Sequence, residues 1–429
     1  MKRFVLPLLM CLYPALPVHA DEAALRERIE ALSKQLEELK REMQDMHSRT
    51  DAIAEQQEAV QQAAAVPGTE ESAASQVSIW GYGEVNVNRP TDESSATQAD
   101  LRRAVLGFGY RFDEDTRFIS EFEVEHGVVS ADDEGELVVE QFYIDHALTA
   151  DTNLKAGLFL IPMGFLNESH EPTRYYGVER NFVETAIIPT TWSEGGVGLY
   201  GGTRLGLAWD VGVTTGFNLA DWDPASTDGL ESPLGSIKQE LQNAKAKDPG
   251  AYLSLNYRGI PGWVAGASVF TGKASQGQQS VSLASGSRVT LWEAHTRWTT
   301  GNFDLSALYA MGTISDTADL NATFVGNPTL IPKEFWGAYL QGAYRFPLAG
   351  SRSVAPFARY SRFNTASKYA SLPPGLNVDS PSTETVWTTG LNFYLNPNVV
   401  IKADYQHFSG DYPGDTNQTR FDLGLGLEF

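Results

Sequence analysis

From Ser78 to Phe429, apolar and polar residues alternate in runs of about ten, the length at which a tilted β-strand crosses a bilayer. The pattern predicts sixteen strands: 78–88, 101–112, 115–126, 137–149, 152–161, 195–201, 203–217, 251–258, 263–271, 288–298, 302–312, 335–346, 354–363, 385–395, 398–408 and 420–429. In the last of them Phe421, Leu423, Leu425, Leu427 and Phe429 point one way. Arg420, Asp422, Gly424, Gly426 and Glu428 point the other, because successive side chains of a strand face opposite sides. The gaps alternate as well. The short ones, Asp113-Glu114, Ala150-Asp151, Gly201-Gly202, 259–262, 299–301 and Asn396-Pro397, hold good turn formers. The long ones are 89–100, 127–136, 162–194, 218–250, 272–287, 313–334, 364–384 and 409–419. A membrane barrel keeps short turns at one rim and long loops at the other. An open sheet of such strands would carry aggregating edges, and a closed barrel has none. The predicted fold is therefore all-β, a 16-stranded antiparallel transmembrane β-barrel over 78–429, with both ends at the short-turn side. Trp80, Phe112, Trp263, Trp298, Trp336, Phe346 and Phe408 fall near strand ends, where a belt of interfacial aromatics is expected.

A different period governs residues 21–62. Leu25, Ile29, Leu32, Leu36, Leu39, Met43, Met46, Ile53 and Val60 follow alternating steps of four and three, with Thr50 and Gln57 as polar members of the register. Over about five heptads this narrow seam predicts an α-helical coiled coil. Residues 63–77, with Pro67-Gly68 at their centre, form a linker. Residues 1–20 have the form of a secretory signal: Lys2 and Arg3, an apolar run from Phe4 to Leu12, and Val18-His19-Ala20 before the cut. The coiled coil is then expected in the periplasm.

Composition narrows the chemistry. The net charge of −22 repels a phosphate backbone and argues against nucleic acid as a partner. The single cysteine, Cys11, lies in the signal, which removes disulfides, thiol catalysis and cysteine-bound metals together. His170-Glu171 lacks a second histidine at position 174, where Arg174 stands, so the helical zinc-protease motif fails. His126, His146, His295 and His407 fall on separate strands. No catalytic residue, metal or cofactor is predicted, and the chain does not read as an enzyme.

If the apolar positions face lipid, the alternate positions face a lumen. They include Arg103, Arg111, Arg117, Lys155, Arg204, Arg258, Arg297, Arg345, Arg359, Lys402 and Arg420. They also include Glu84, Glu121, Glu123, Glu125, Asp145, Asp210, Glu293, Asp304, Asp404, Asp422 and Glu428. A wall this charged is costly to keep dry, so it implies a water-filled pore, with about half of the charges pairing across strands. The third long loop, 162–194, suits a constriction. Glu168, His170, Glu171, Arg174, Glu179, Arg180 and Glu184 mix both signs, and Tyr175 and Tyr176 add rigid bulk. The fourth, 218–250, is a rival of similar length. Acidic runs in the outer loops, Asp132-Asp133-Glu134 and Asp221, Asp223, Asp228 and Glu231, suit solvation or cation bridges to lipopolysaccharide.

The segment GLFLIPMGFLNESHEPTRYYGVERNFVETAIIPTTWSEGGVGLYG (157–201) resembles the corresponding loop of the phosphate-selective porin O/P superfamily. The coiled coil before the barrel resembles that of DcaP-like porins. The resemblance implies an outer-membrane protein of a Gram-negative bacterium, a homotrimer among lipids and lipopolysaccharide. Its function would be passive diffusion of small hydrophilic solutes or ions, with anions such as phosphate or dicarboxylates in some members. Arg103, Arg111, Arg174, Arg180 and Arg204 are the cations that would serve an anion path. The balanced lumen departs from the Arg and Lys ladder that a phosphate channel wants, so the solute stays open. The alternative is a structural tether that links the outer membrane to the cell wall through the coiled coil.

Overall fold

The computed structural model describes residues 76–129, 135–371, 383–410 and 418–429. The signal segment 1–20, the coiled coil 21–62, nearly all of the linker and the acidic run Asp132-Asp133-Glu134 lie outside the described residues. Sixteen antiparallel strands close into one barrel. They are β1 (Val77–Pro90), β2 (Gln98–Arg111), β3 (Thr116–Glu125), β4 (Leu137–Thr149), β5 (Thr152–Leu160), β6 (Ser193–Gly202), β7 (Leu207–Thr214) and β8 (Gly250–Ile260). There follow β9 (Trp263–Lys273), β10 (Arg288–Thr300), β11 (Phe303–Ile314), β12 (Glu334–Tyr344), β13 (Ser353–Lys368), β14 (Glu384–Asn396), β15 (Val399–Gly410) and β16 (Gln418–Glu428). Strand β12 breaks at Arg345 and resumes over Phe346–Pro347. All sixteen runs found in the pattern are present. Closure is made by β1, which pairs with β2 on one side and with β16 on the other. The terminal Phe429 joins the same seam by two backbone hydrogen bonds to Gly81, of 2.9 and 3.1 Å.

Sidedness follows the alternation where the strands are regular. On β16 Phe421, Leu423, Leu425 and Leu427 are exposed on the outer face, whereas Asp422 is fully buried on the inner one. On β15 Ile401 and Tyr405 are outside, and Lys402, Asp404 and Gln406 inside. The aromatic belt is only partly as expected. Phe112, Trp298 and Phe346 are exposed. Trp80 instead turns inward and donates to Glu121 at 2.6 Å. Its indole lies so close to Gly107 that a Cβ there would meet it at 2.1 Å, so the glycine makes room for it. Phe408 also turns inward, edge-on to Phe182 of the third long loop.

One predicted strand starts later than the pattern implied. Residues 203–206 form a tight turn, closed by Thr203 N–H to the Leu207 carbonyl at 2.8 Å. Gly206 has φ +83°, a conformation that glycine adopts without strain. Arg204 is therefore an exposed turn residue rather than a lumen residue.

Two irregularities matter for the interior. In β2 the register with β1 shifts where Glu84 pairs with Arg103 and Val85 with Leu101, leaving Arg102 as the extra residue of a β-bulge. In β4 Glu121 pairs with Gln141 and Phe122 with Val139, so Glu140 is the extra residue. A bulge turns two successive side chains to one face. Arg102 and Glu140, which strict alternation would put against lipid, thereby join Arg103 and Gln141 on the inside.

The outer face gives a direct test. Leu425, held between Val85 of β1 and Ile401 of β15, is expected to lie in the apolar band. Leu425→Arg should cost about 2–4 kcal/mol if it stands near the bilayer midplane, measured by urea unfolding and refolding in lipid vesicles. An unchanged stability would mean that this face does not meet lipid.

Candidate functional site

The third long loop leaves β5 at Ile161, crosses the interior and returns to β6. Its crossing is recorded by bonds to strands far around the barrel. Tyr175 donates its hydroxyl to Glu84 of β1 at 2.6 Å, and Thr173 to Glu428 at 2.6 Å. The Gly177 and Val178 amides donate to Asn392 of β14 and Asp404 of β15, at 3.1 and 2.6 Å. Arg359 of β13 donates to the Tyr176 carbonyl at 3.1 Å, and Tyr176 donates to Asp304 of β11 at 3.1 Å. The main chain and ring hydroxyls, both short and stiff, thus fix the loop across the lumen.

Glu184 holds the loop's own shape. It accepts from the amides of Phe165 (2.5 Å) and Leu166 (2.8 Å), from Asn181 Nδ2 (2.7 Å) and from Tyr339 of β12 (3.0 Å). Burial pushes its carboxyl up, and the hydrogen bonds from Asn181, Leu166 and Phe165 pull it back down. Predicted as a charge at the passage, Glu184 is instead a buried staple, because the loop itself consumes its acceptors. His170 is buried too. Its Nδ1 lies 3.0 Å from the Asn167 carbonyl, and desolvation, followed by the charge of Arg180, holds its pKa down at about 3, so the ring is neutral.

Two loops fill one side of the interior with an apolar core. Ile161, Met163, Ile187 and Trp192 of the third loop meet Leu219, Leu234 and Ile237 of the fourth. Both pack on Phe270, Leu291 and Phe335, inward residues of β9, β10 and β12. On this side apolar residues occupy both faces of the wall. Val269 is exposed outside while its neighbour Phe270 is buried inside, a double apolar signal already present in the sequence.

The remaining charged residues of the loop lie on its water-facing side. Glu168 and Arg174 are exposed, and Glu171 and Glu179 are half-buried. Arg174 approaches Glu428 at 3.3 Å, and Glu179 accepts from Asn88 at 2.9 Å. Arg180 turns inward to Thr190, Thr191 and the His170 carbonyl, at 2.6, 3.0 and 3.3 Å.

Among the wall residues, Arg103 is locked by Glu84, Glu123 and Glu125 at 2.7, 3.1 and 3.6 Å. Arg117 binds Asp145 through two nitrogens at 2.6 and 2.8 Å, and Arg297 pairs with Asp304. Glu121 accepts from Trp80 and Gln141. Arg111 ends β2, and Arg345 stands exposed at the break in β12 with its guanidinium 4.1 Å from the Tyr394 ring. Two wall cations stand out that the sequence placed inside without distinguishing them. Lys402 is buried with its ammonium 3.5 Å from the Tyr175 ring, and Arg359 bonds only neutral acceptors. With Arg180, these are buried cations for which no carboxylate lies within 4.0 Å among the described residues.

Beside the loop, towards β1 and β2, a vestibule of about 790 Å³ opens. Its charged lining is Arg102, Arg103, Arg180 and Arg420 against Glu84, Asp100 and Glu179, with His126 at its edge. His126 is held by Asp100 at 2.8 Å.

This arrangement, an apolar exterior, a charged interior and an inward loop, is that of porin barrels. OmpF of Salmonella typhi, solved with daunomycin, shares the fold at a TM-score of 0.56 and 12% identity, over 82% of this chain and 97% of that one. The outer membrane channel DcaP of Acinetobacter baumannii gives 0.51 at 12% identity, over 85% and 100%. An anion-selective porin from Comamonas acidovorans gives 0.50 at 11%, over 82% and 99%. No family model matches the sequence. The chain belongs to one family with a protein of Aquifex aeolicus (strain VF5) described as uncharacterized, 32% identical over 339 residues, which are 77% of this chain and 75% of the relative.

Glu184→Ala tests the staple. Each donor left without its acceptor costs about 1–3 kcal/mol, so the loop should lose its seat while the barrel stays closed. Limited proteolysis is expected to cut within 162–194 in the variant and not in the parent protein; equal resistance would show that Glu184 is not what holds the loop.

Proposed function

We propose that this protein is a passive diffusion channel for small hydrophilic solutes across the outer membrane of a Gram-negative bacterium. In this reading it works as a homotrimer, with its N-terminal segment in the periplasm as a coiled coil, as the resemblance to the O/P superfamily and DcaP-like porins implies. The observation that carries the reading is the loop 162–194 pinned across a charged interior beside the vestibule. A loop so placed narrows a wet passage without sealing it, and fixed charges along a narrow aqueous path sort solutes by charge.

Small anions, with phosphate and dicarboxylates as the first to test, fit the surplus of cations. In the vestibule Arg103 is paired with its glutamates and Arg420 with Asp422, which leaves Arg102 and Arg180 to face an entering anion. Arg180, Arg359 and Lys402 are further interior cations with no carboxylate within 4.0 Å among the described residues. The anion path expected from Arg103, Arg111, Arg174, Arg180 and Arg204 is accordingly redrawn. Arg204 is in a turn at the short-turn rim and Arg103 is neutralised by its three glutamates, so Arg102, Arg359 and Lys402 join Arg180 instead.

The purified protein in a planar bilayer under a tenfold salt gradient should show a zero-current potential of anion-selective sign. Arg180→Gln should move that potential towards zero, since it removes an unpaired cation at the vestibule. A cation-selective potential would transfer control to Glu168, Glu171 and Glu179 and sink the anion assignment. Folded protein without conductance would overturn the channel reading itself.

A further inference from the structure

The bulge at Glu140 puts a carboxylate where the wall already holds Glu121 and where the loop brings His170. All three side chains are more than nine-tenths buried: Glu140 is 2%, His170 3% and Glu121 8% exposed. One ligand atom from each lies within 4.8 Å of the others.

Two features of this cluster ask for a cation. Neither carboxylate oxygen of Glu140 has a protein N–H or O–H donor, and the side chain it approaches is a second carboxyl, that of Glu123. Its acidic neighbours are Glu121 and Glu123, and the nearby Arg180 directs its terminal nitrogens to Thr190, Thr191 and the His170 carbonyl rather than to Glu140. An uncompensated buried carboxylate is too costly to stand alone. The second feature is the tautomer. His170 Nδ1–H donates a hydrogen bond to the Asn167 carbonyl, which in the neutral ring leaves the lone pair of Nε2 facing Glu140 Oε2 at 3.9 Å. Two acceptors that face each other repel unless a positive centre sits between them. A ring nitrogen freed in this way by a backbone carbonyl on the other is the usual state of a metal-bound histidine.

We propose that Glu121, Glu140 and His170 bind one divalent first-row transition-metal ion, which joins the inward loop to strands β3 and β4. The imidazole selects against the hard ions calcium and magnesium, which take all-oxygen sites. Zinc binds oxygen and nitrogen at about 2.0–2.2 Å, which sets neighbouring ligand atoms about 3.3 Å apart in a tetrahedron. Arg103 is shared among Glu84, Glu123 and Glu125, so Glu121 and Glu140 have no cation of their own, and a divalent ion supplies the charge that meets them.

The experiment is zinc binding to the full, untagged protein in detergent, read by metal analysis after dialysis and by titration. It does not depend on transport. One zinc per chain is expected, undisplaced by excess calcium or magnesium. Glu140→Gln keeps the shape of the site, and it should weaken zinc at least tenfold, as should His170→Gln. Heat-modifiable migration on gels verifies that both variants are folded. The proposal is overturned by no bound zinc, which would leave a shared proton as the neutralising charge, by displacement with calcium, or by unchanged binding in folded Glu140→Gln.

Discussion

A carboxylate buried inside a closed barrel is cut off from bulk water, so its charge must be met where it stands. Much of the interior is organised by that requirement. Arg103 gathers three glutamates from β1 and β3. Lys155 answers Asp210 at 2.6 Å, and Arg420 answers Asp422 at 2.8 Å. The third long loop serves the same need with its backbone, since the Val178 amide and the Tyr175 hydroxyl satisfy Asp404 and Glu84. Charge-assisted hydrogen bonds are among the stronger ones in a protein, and here they fasten the loop at several separate points. The same bonds that make the acids tolerable therefore set the shape of the passage.

The barrel was legible in the sequence because it rests on a two-residue period that each strand repeats. Leu423, Leu425 and Leu427 could be assigned outward from spacing alone, and the alternation of short and long gaps gave the hairpins. What escaped was whatever breaks the period. Arg102 and Glu140 lie inside only because each strand carries one surplus residue, and an isolated sequence gives no sign of where a partner strand lacks one. Arg204 was misplaced for a related reason, as the turn at Gly206 shortens its strand. Trp80 reads as an interfacial aromatic, but its indole reaches inward over a glycine of the next strand, a contact set by cross-strand register.

The loop charges show a different limit. Composition identified Glu184, Arg180 and His170 as notable in a loop of mixed sign, and all three do lie inside. Their tasks differ, however, and the difference lies in their partners. Glu184 is surrounded by donors from its own loop, Arg180 by hydroxyls and a carbonyl, and His170 by a carbonyl on one nitrogen and an acid near the other. Residue type announces that a group has polar business; only the fold says with whom.

The interior is also two materials in one cylinder. Around β9 to β12 it is a packed apolar solid of loop and wall side chains, and beside β1, β2 and β16 it is lined with charge around the vestibule. The hairpins are thus not equivalent in what evolution can do with them. On the solid side a change in volume is felt at once by tightly packed neighbours, so drift there is constrained by shape. On the wet side the constraint is the sum of charge, and a swapped pair of opposite residues can leave the wall intact while altering what the water beside it dissolves. Relatives should accordingly diverge in the chemistry they admit while keeping the same solid half.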